Sequence, residues 1–257
     1  MHRFIVSLLI VSATAASSAC AQEEQQCGGD VISAAGRWAG VSEKSHPVAA
    51  AACKAMPGAS DTVIAAIAFD KDGLEAEEGG IKQQVIALVQ HGKVVAGHSA
   101  DITEDSMTGV GANSYRIDTA PYRLSPEVRA FGVIFNSSAS GPSCPQYAAW
   151  DELTLWIREG ETLKPVFGTN LSGWASLDDR FCNRLSESAK MTVAIEKTVH
   201  HGFADIRLVA RVVKMEDRDG GVVETGKRVA RKTFRYDGHS YGINMFTDFW
   251  YSEHEER

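Results

Sequence analysis

LTLWIREGETLKPVF, residues 153–167, is the stretch that decides the fold. Two apolar runs of strand length, 153–157 and 163–167, flank Arg158-Glu159-Gly160-Glu161. Short runs of β-branched and aromatic residues on either side of a glycine-containing turn read as a β-hairpin. Working outward, the same unit recurs. Residues 85–89 and 93–97 flank His91-Gly92, and 204–214 and 222–236 flank Asp219-Gly220-Gly221. Residues 234–236 and 240–242 flank Asp237-Gly238, a last expected hairpin. Residues 62–69 (TVIAAIAF), 114–118, 129–135 and 191–196 read as further strands.

Turns at such intervals suit an antiparallel meander. No strand–helix–strand rhythm points to a parallel α/β sheet. The expected fold is therefore mainly β, a sandwich-like or barrel-like domain. One helical element is expected near the N-terminus. Residues 48–55 (VAAAACKA) fit it, with Pro47 near its start and Pro57-Gly58 past its end, because alanine favours helix. The expected domain covers residues 22–257, and the loop-rich segment 136–151 (NSSASGPSCPQYAAWD) is where it would subdivide.

The chain opens with a cationic Met1-His2-Arg3, an apolar run over residues 4–16, and Ala19-Cys20-Ala21 before a polar stretch. This order is that of a secretory signal cut after Ala21. The apolar run is shorter than the roughly 20 residues a membrane-spanning helix needs. No later run approaches that length, so no membrane span is expected after Ala21. Ser17-Ser18-Ala19-Cys20 also resembles the tail of a bacterial lipoprotein signal, with Cys20 as the acylated residue and Ser17 where such signals favour leucine.

Cleavage leaves Cys27, Cys53, Cys144 and Cys182. Four cysteines in an exported chain predict two disulfides; three pairings are open to them, and proximity favours Cys27 with Cys53 and Cys144 with Cys182. Their wide spacing, with no C-x-x-C pair, argues against a zinc site. The net charge of -7 argues against a general nucleic-acid binder, which needs clustered cations.

No motif assigns a chemistry. Asp70-Lys71-Asp72-Gly73 with Glu75, Glu77 and Glu78 has the composition of a calcium loop but not its spacing, and reads first as an acidic turn. Glu216-Asp217-Arg218-Asp219-Gly220 reads the same way. His200-His201 with Asp205 lacks metal-ligand spacing and suits a hairpin end. The serine-rich loop Ser137-Ser138-Ala139-Ser140-Gly141 lacks the G-x-S-x-G nucleophile pattern. Gly109-Val110-Gly111 lacks the third glycine of a phosphate loop. Glu187, Glu196 and Asp178-Asp179 offer acids for a glycosidase pair without specifying one. No cofactor or metal is expected.

Two surface candidates stand out. Lys227, Arg231 and Arg235 alternate along the most basic stretch of an acidic chain and share a strand face with Val229 and Thr233. Phe249, Trp250 and Tyr251 form an aromatic cluster suited to anchoring a partner or to closing the core. The expectation is an exported, non-enzymatic binding or inhibitory module for an envelope protein or glycan. The alternatives are a hydrolase using His98, His200 or His201, and a structural envelope component. In a eukaryotic secreted protein, Asn136 and Asn170 would be glycan acceptors.

Overall fold

The computed structural model describes residues 25–41, 46–59, 61–71, 80–177, 185–218 and 221–252. The signal segment, Cys20, Cys182, Asp178-Asp179 and most of the acidic turn after Lys71 lie outside them.

The fold is mainly β, with one short helix and a large mixed sheet. The order of elements is α1 (Gly29–Ala39), β1 (Val48–Ala55), β2 (Thr62–Asp70), β3 (Ile81–Gln90), β4 (Lys93–Thr103), β5 (Tyr115–Asp118) and β6 (Phe131–Phe135). Then follow β7 (Tyr147–Glu159), β8 (Thr162–Ser176), β9 (Leu185–His200), β10 (Phe203–Arg218), β11 (Gly221–Phe234) and β12 (Gly242–Asn244). The hairpins around His91-Gly92 and Gly160 form where the turn residues place them. His91, Gly92 and Gly160 all take positive φ, the conformation that tight hairpin turns require.

Strands run β1-β2-β3-β4-β8-β7-β6-β5 across the sheet, and β9, β10 and β11 continue from β8 as a wing. The first eight strands curl around one core. Ala52, Ile64, Ile86, Ala96, Ile117, Val133, Trp156 and Leu163, one from each strand, meet inside it. The two ends of the curl, β1 and β5, touch without pairing, so the roll is barrel-like but not closed. Gln25 fills the seam. Its carbonyl accepts from Cys53 N at 3.0 Å, its side-chain amide donates to Ile117 O at 2.9 Å, and its side-chain oxygen accepts from Ile117 N at 2.6 Å.

The helix is not where alanine content suggested. Residues 48–55 form β1, which pairs antiparallel with β2 over its length. Propensity is a weak preference that tertiary context overrides, and here Ala50 and Ala52 face the inner core. The helix is Gly29–Ala39, ended by Gly40 in the left-handed region at φ 73°, the usual helix stop. Val31, Ala34 and Ala35 pack on the outer faces of β2 and β3, against Ile67, Phe69 and Val85. Cys27 and Cys53 are bridged, so the disulfide joins the start of the helix to a strand. Both cysteines of only one bridge lie among the described residues, not of two as expected. Cys144 is disulfide-bonded too.

Three further expectations change. The sheet is mixed, because β12 runs parallel to β8 and β4 touches β8 in parallel at Gly97. The chain after Asp237 does not fold back on β11. Tyr241 N donates to Val166 O, and β12 follows β8 instead. The segment 136–151 is loop only in part, since β7 begins at Tyr147. Among the described residues no helix is long and apolar enough to cross a membrane.

Candidate functional site

The basic stripe lies on the outermost strand of the wing. Lys227, Val229, Arg231 and Thr233 are exposed on one face of β11, and Arg235 is exposed just beyond its end. The opposite face carries Arg228, Ala230, Lys232 and Phe234 by alternation. Ala230 and Phe234 pack into the wing's core there.

Pairing extends the stripe. Arg211 on β10 lies opposite Val229, and Lys190 on β9 lies opposite Arg211. Arg211 therefore has Lys190 directly across and Lys227 and Arg231 at its two diagonals, positions about 7–8 Å apart. Lys190, Arg211 and Arg231 are all exposed. The same row continues through Ser172 on β8 to Trp150 on β7. Trp150 is 50% exposed and Val229 47% exposed.

Acids compensate this face only in part. Lys227 pairs with Glu224 at 2.8 Å and Arg207 with Glu196 at 2.8 Å. Lys190 Nζ donates to Ser172 Oγ at 3.0 Å, and Ser172 Oγ donates to Asp151 Oδ2 at 2.7 Å. Burial pushes the Asp151 carboxyl up, but hydrogen bonds from Ser172 and Asn136 with the charges of Arg116 and Lys190 outweigh it and hold the group below its ordinary range. Among the described residues, Arg211 and Arg231 have neither an ion pair nor a hydrogen bond. Like charges directly opposed across strands destabilise a sheet, so folding alone gives no reason for Lys190 to face Arg211.

The aromatic cluster divides. Trp250 is fully buried in the core between β8, β9 and β10, and its Nε1 donates to Thr247 O at 2.8 Å. Gly173 makes room for it, since a Cβ there would stand 2.5 Å from the indole. Phe249 and Tyr251 pack partly buried beside it. Trp250 is therefore a core residue in this fold, not a surface anchor. The tail is locked further by Glu187, which accepts from Arg228 at 3.0 Å and from the Ser252 backbone and hydroxyl at 2.9 and 2.6 Å. The exposed aromatic of this segment is Phe246, at 64%.

The histidines separate as well. His201 and Gly202, both at positive φ, turn the β9–β10 hairpin, the hairpin-end position that the sequence suits. His200 Nδ1 lies 2.7 Å from Asp205 Oδ1, and Thr198 donates to Asp205 Oδ2 at 2.8 Å. Burial pushes the Asp205 carboxyl up, but the hydrogen bonds from His200 and Thr198 prevail and keep it ionised below its ordinary range. Such a pair orients an imidazole as a base. Among the described residues no serine, threonine or cysteine side chain is hydrogen-bonded to His200. His98 stacks on Trp156 with ring centres 4.9 Å apart, and burial pushes its imidazole down. No acid partners it among the described residues. Asn170 is buried and hydrogen-bonded to Ser172 and Thr247, which removes it as a glycan acceptor in the folded state.

Lys190 and Arg211 escape the sequence reading. Each is a lone cation within an ordinary strand, and only cross-strand register brings them to Arg231. Compared with protein-family models, with curated proteins and with solved structures, the chain gives no match.

Proposed function

We propose that this is an exported, non-enzymatic binding protein whose basic wing face takes an anionic envelope glycan. One observation carries the reading. Lys190, Arg211 and Arg231 converge on an exposed sheet face of a chain with net charge -7, and acids leave Arg211 and Arg231 unanswered. Lys190 and Arg211 stand directly opposite, about 5 Å apart, Lys227 and Arg231 lie about 7–8 Å from Arg211 on its diagonals, and the cations along β11 are four residues, about 13 Å, apart. That regular, flat array suits the repeated acidic groups of a polysaccharide. Trp150, at the end of the same row, offers a ring for a sugar to stack on. The Cys27–Cys53 bridge fits an oxidising compartment, and the signal-like N-terminus supports export.

The test is retention of the oxidised protein on an immobilised polyuronate, read against neutral dextran and across a salt series. Wild type should be retained on the polyuronate alone, with affinity falling steeply as salt rises. Arg211→Glu with Arg231→Glu should abolish retention while leaving the melting transition intact. Equal retention on dextran, or a folded double mutant that still binds, would overturn the glycan reading. Retention lost on the polyuronate but kept on an acidic protein would transfer the face to a protein partner.

A further inference from the structure

A second site, independent of the basic face, opens at one end of the curl. β4 and β8 meet at Gly97 and Thr162 and then part. At this end lies a cavity of about 260 Å³, lined from β3, β4, β6 and β7, that reaches into the inner core. Ile86, Val133, Phe135 and Trp156 line it, and Met245, just past β12, walls one side. A second cavity of about 220 Å³ shares Thr108, Phe135 and Glu152 with the first and leads outward past Trp150 and Phe246.

Around this cavity, which Gln84, Thr108 and Thr154 also line, two polar groups lack partners among the described residues. Trp156 is only 5% exposed, and its Nε1–H is buried without an acceptor. A buried donor left unmade costs about 1–3 kcal/mol, and proteins rarely tolerate it without a reason. Glu152 stands at the junction of the two cavities, half-buried, and among the described residues nothing donates to its carboxyl group. Its neighbourhood does pair charges elsewhere. Lys82, two residues before Gln84 on the same face of β3, is held between Asp70 and Glu104 at 3.1 Å each. Glu152 is left as the unanswered charge of this end.

Glu152, Thr154 and Trp156 share one face of β7, opposite Phe135, Val133 and Phe131 on β6. Four residues of strand span about 13 Å. The cavity that all three line is therefore elongated.

We infer that this cavity is a binding site for a small, elongated amphiphile: an ammonium head on Glu152 and an apolar body against Ile86, Val133 and Phe135, reaching toward Trp156. The cavity has the form of a ligand site, apolar with a few convergent polar groups at the mouth of a barrel-like sheet. Aromatic rings beside a carboxylate favour an organic cation over a metal ion. Trp150 stands at the outlet of this site and at the end of the basic row, but none of Lys190, Arg211 and Arg231 lines either cavity, so the charge-reversal and Glu152 tests fail separately.

The experiment titrates octylammonium, octanol and octanoate into the full mature protein, followed by NMR of the Trp156 indole proton. Octylammonium should bind at least about tenfold more tightly than octanol, the worth of one charge-assisted contact, and octanoate should not bind. Glu152→Gln should bring octylammonium and octanol to within about twofold of each other. Thr154→Trp, checked for a cooperative melting transition, should exclude every probe. Absence of saturable binding, equal binding of the three probes, or an ammonium preference that survives Glu152→Gln would overturn the assignment.

Discussion

In the curled part of the sheet, β2 and β3 are covered on both faces, by the inner core and by α1. In the wing, β10 and β11 are covered on one face only, where Leu208, Ala210, Val212 and Trp250 form a core. The other face carries Lys190, Arg211 and Arg231 to the solvent. The contrast shows where this fold has room for surface function. A strand buried on both sides has no position to spare, whereas a strand buried on one side can commit every second residue to a partner.

The comparison breaks most sharply at Trp250. If the wing depends on that single plug, Trp250→Ala should cost about 3–5 kcal/mol, as truncating a buried large aromatic does. Urea unfolding measures it, and amide exchange should show the loss in β9 and β10 before β2 and β3. A loss spread evenly over both parts would mean that they are one cooperative unit.

The reciprocal change addresses the curl. Replacing Cys27 and Cys53 together with serine should cost about 2–4 kcal/mol through the freed chain entropy. Faster exchange at the Ile117 amide, which Gln25 caps, should accompany it, with the wing unchanged.

The smallest effect has the opposite sign. Burial holds the Glu152 carboxyl above its ordinary value of 4.5, so the ionised form is the one that folding disfavours. That cost is present above the raised value and vanishes once the pH falls below 4.5 and the group is protonated in both states. Glu152→Gln should therefore raise stability near neutral pH by less than about 1 kcal/mol. The gain should fade on acidification. A pH series of melting temperatures checks both halves of this statement.

Much of the sheet was legible because its signals are local. Residues 62–69 read as a strand from continuous apolar character, and β2 is indeed buried on both faces. His91-Gly92 and Gly160 announced their hairpins through the conformations glycine permits. The failures share the opposite property. Residues 48–55 look helical until β2 pairs with them. Asp237-Gly238 looks like another hairpin until Tyr241 finds Val166. Of the basic face, Lys227, Arg231 and Arg235 were visible as an alternating stripe, but Lys190 and Arg211 join it only through the register of three strands. The cavity beside Glu152 left no trace in the sequence, since Glu152 and Trp156 owe their isolation to what surrounds them and not to their neighbours along the chain.

The seam beside Gln25 has a consequence for how this protein meets copies of itself. Strands β1 and β5 stand next to each other without a ladder between them, and one amide side chain does the work of a missing peptide. When that side chain swings away, the β5 edge at Ile117 becomes free, a template for a passing strand. Residues 48–55, small, apolar and nearly uncharged, are the kind of segment that such templates recruit. In this chain, a single glutamine bonds both edges of the curl.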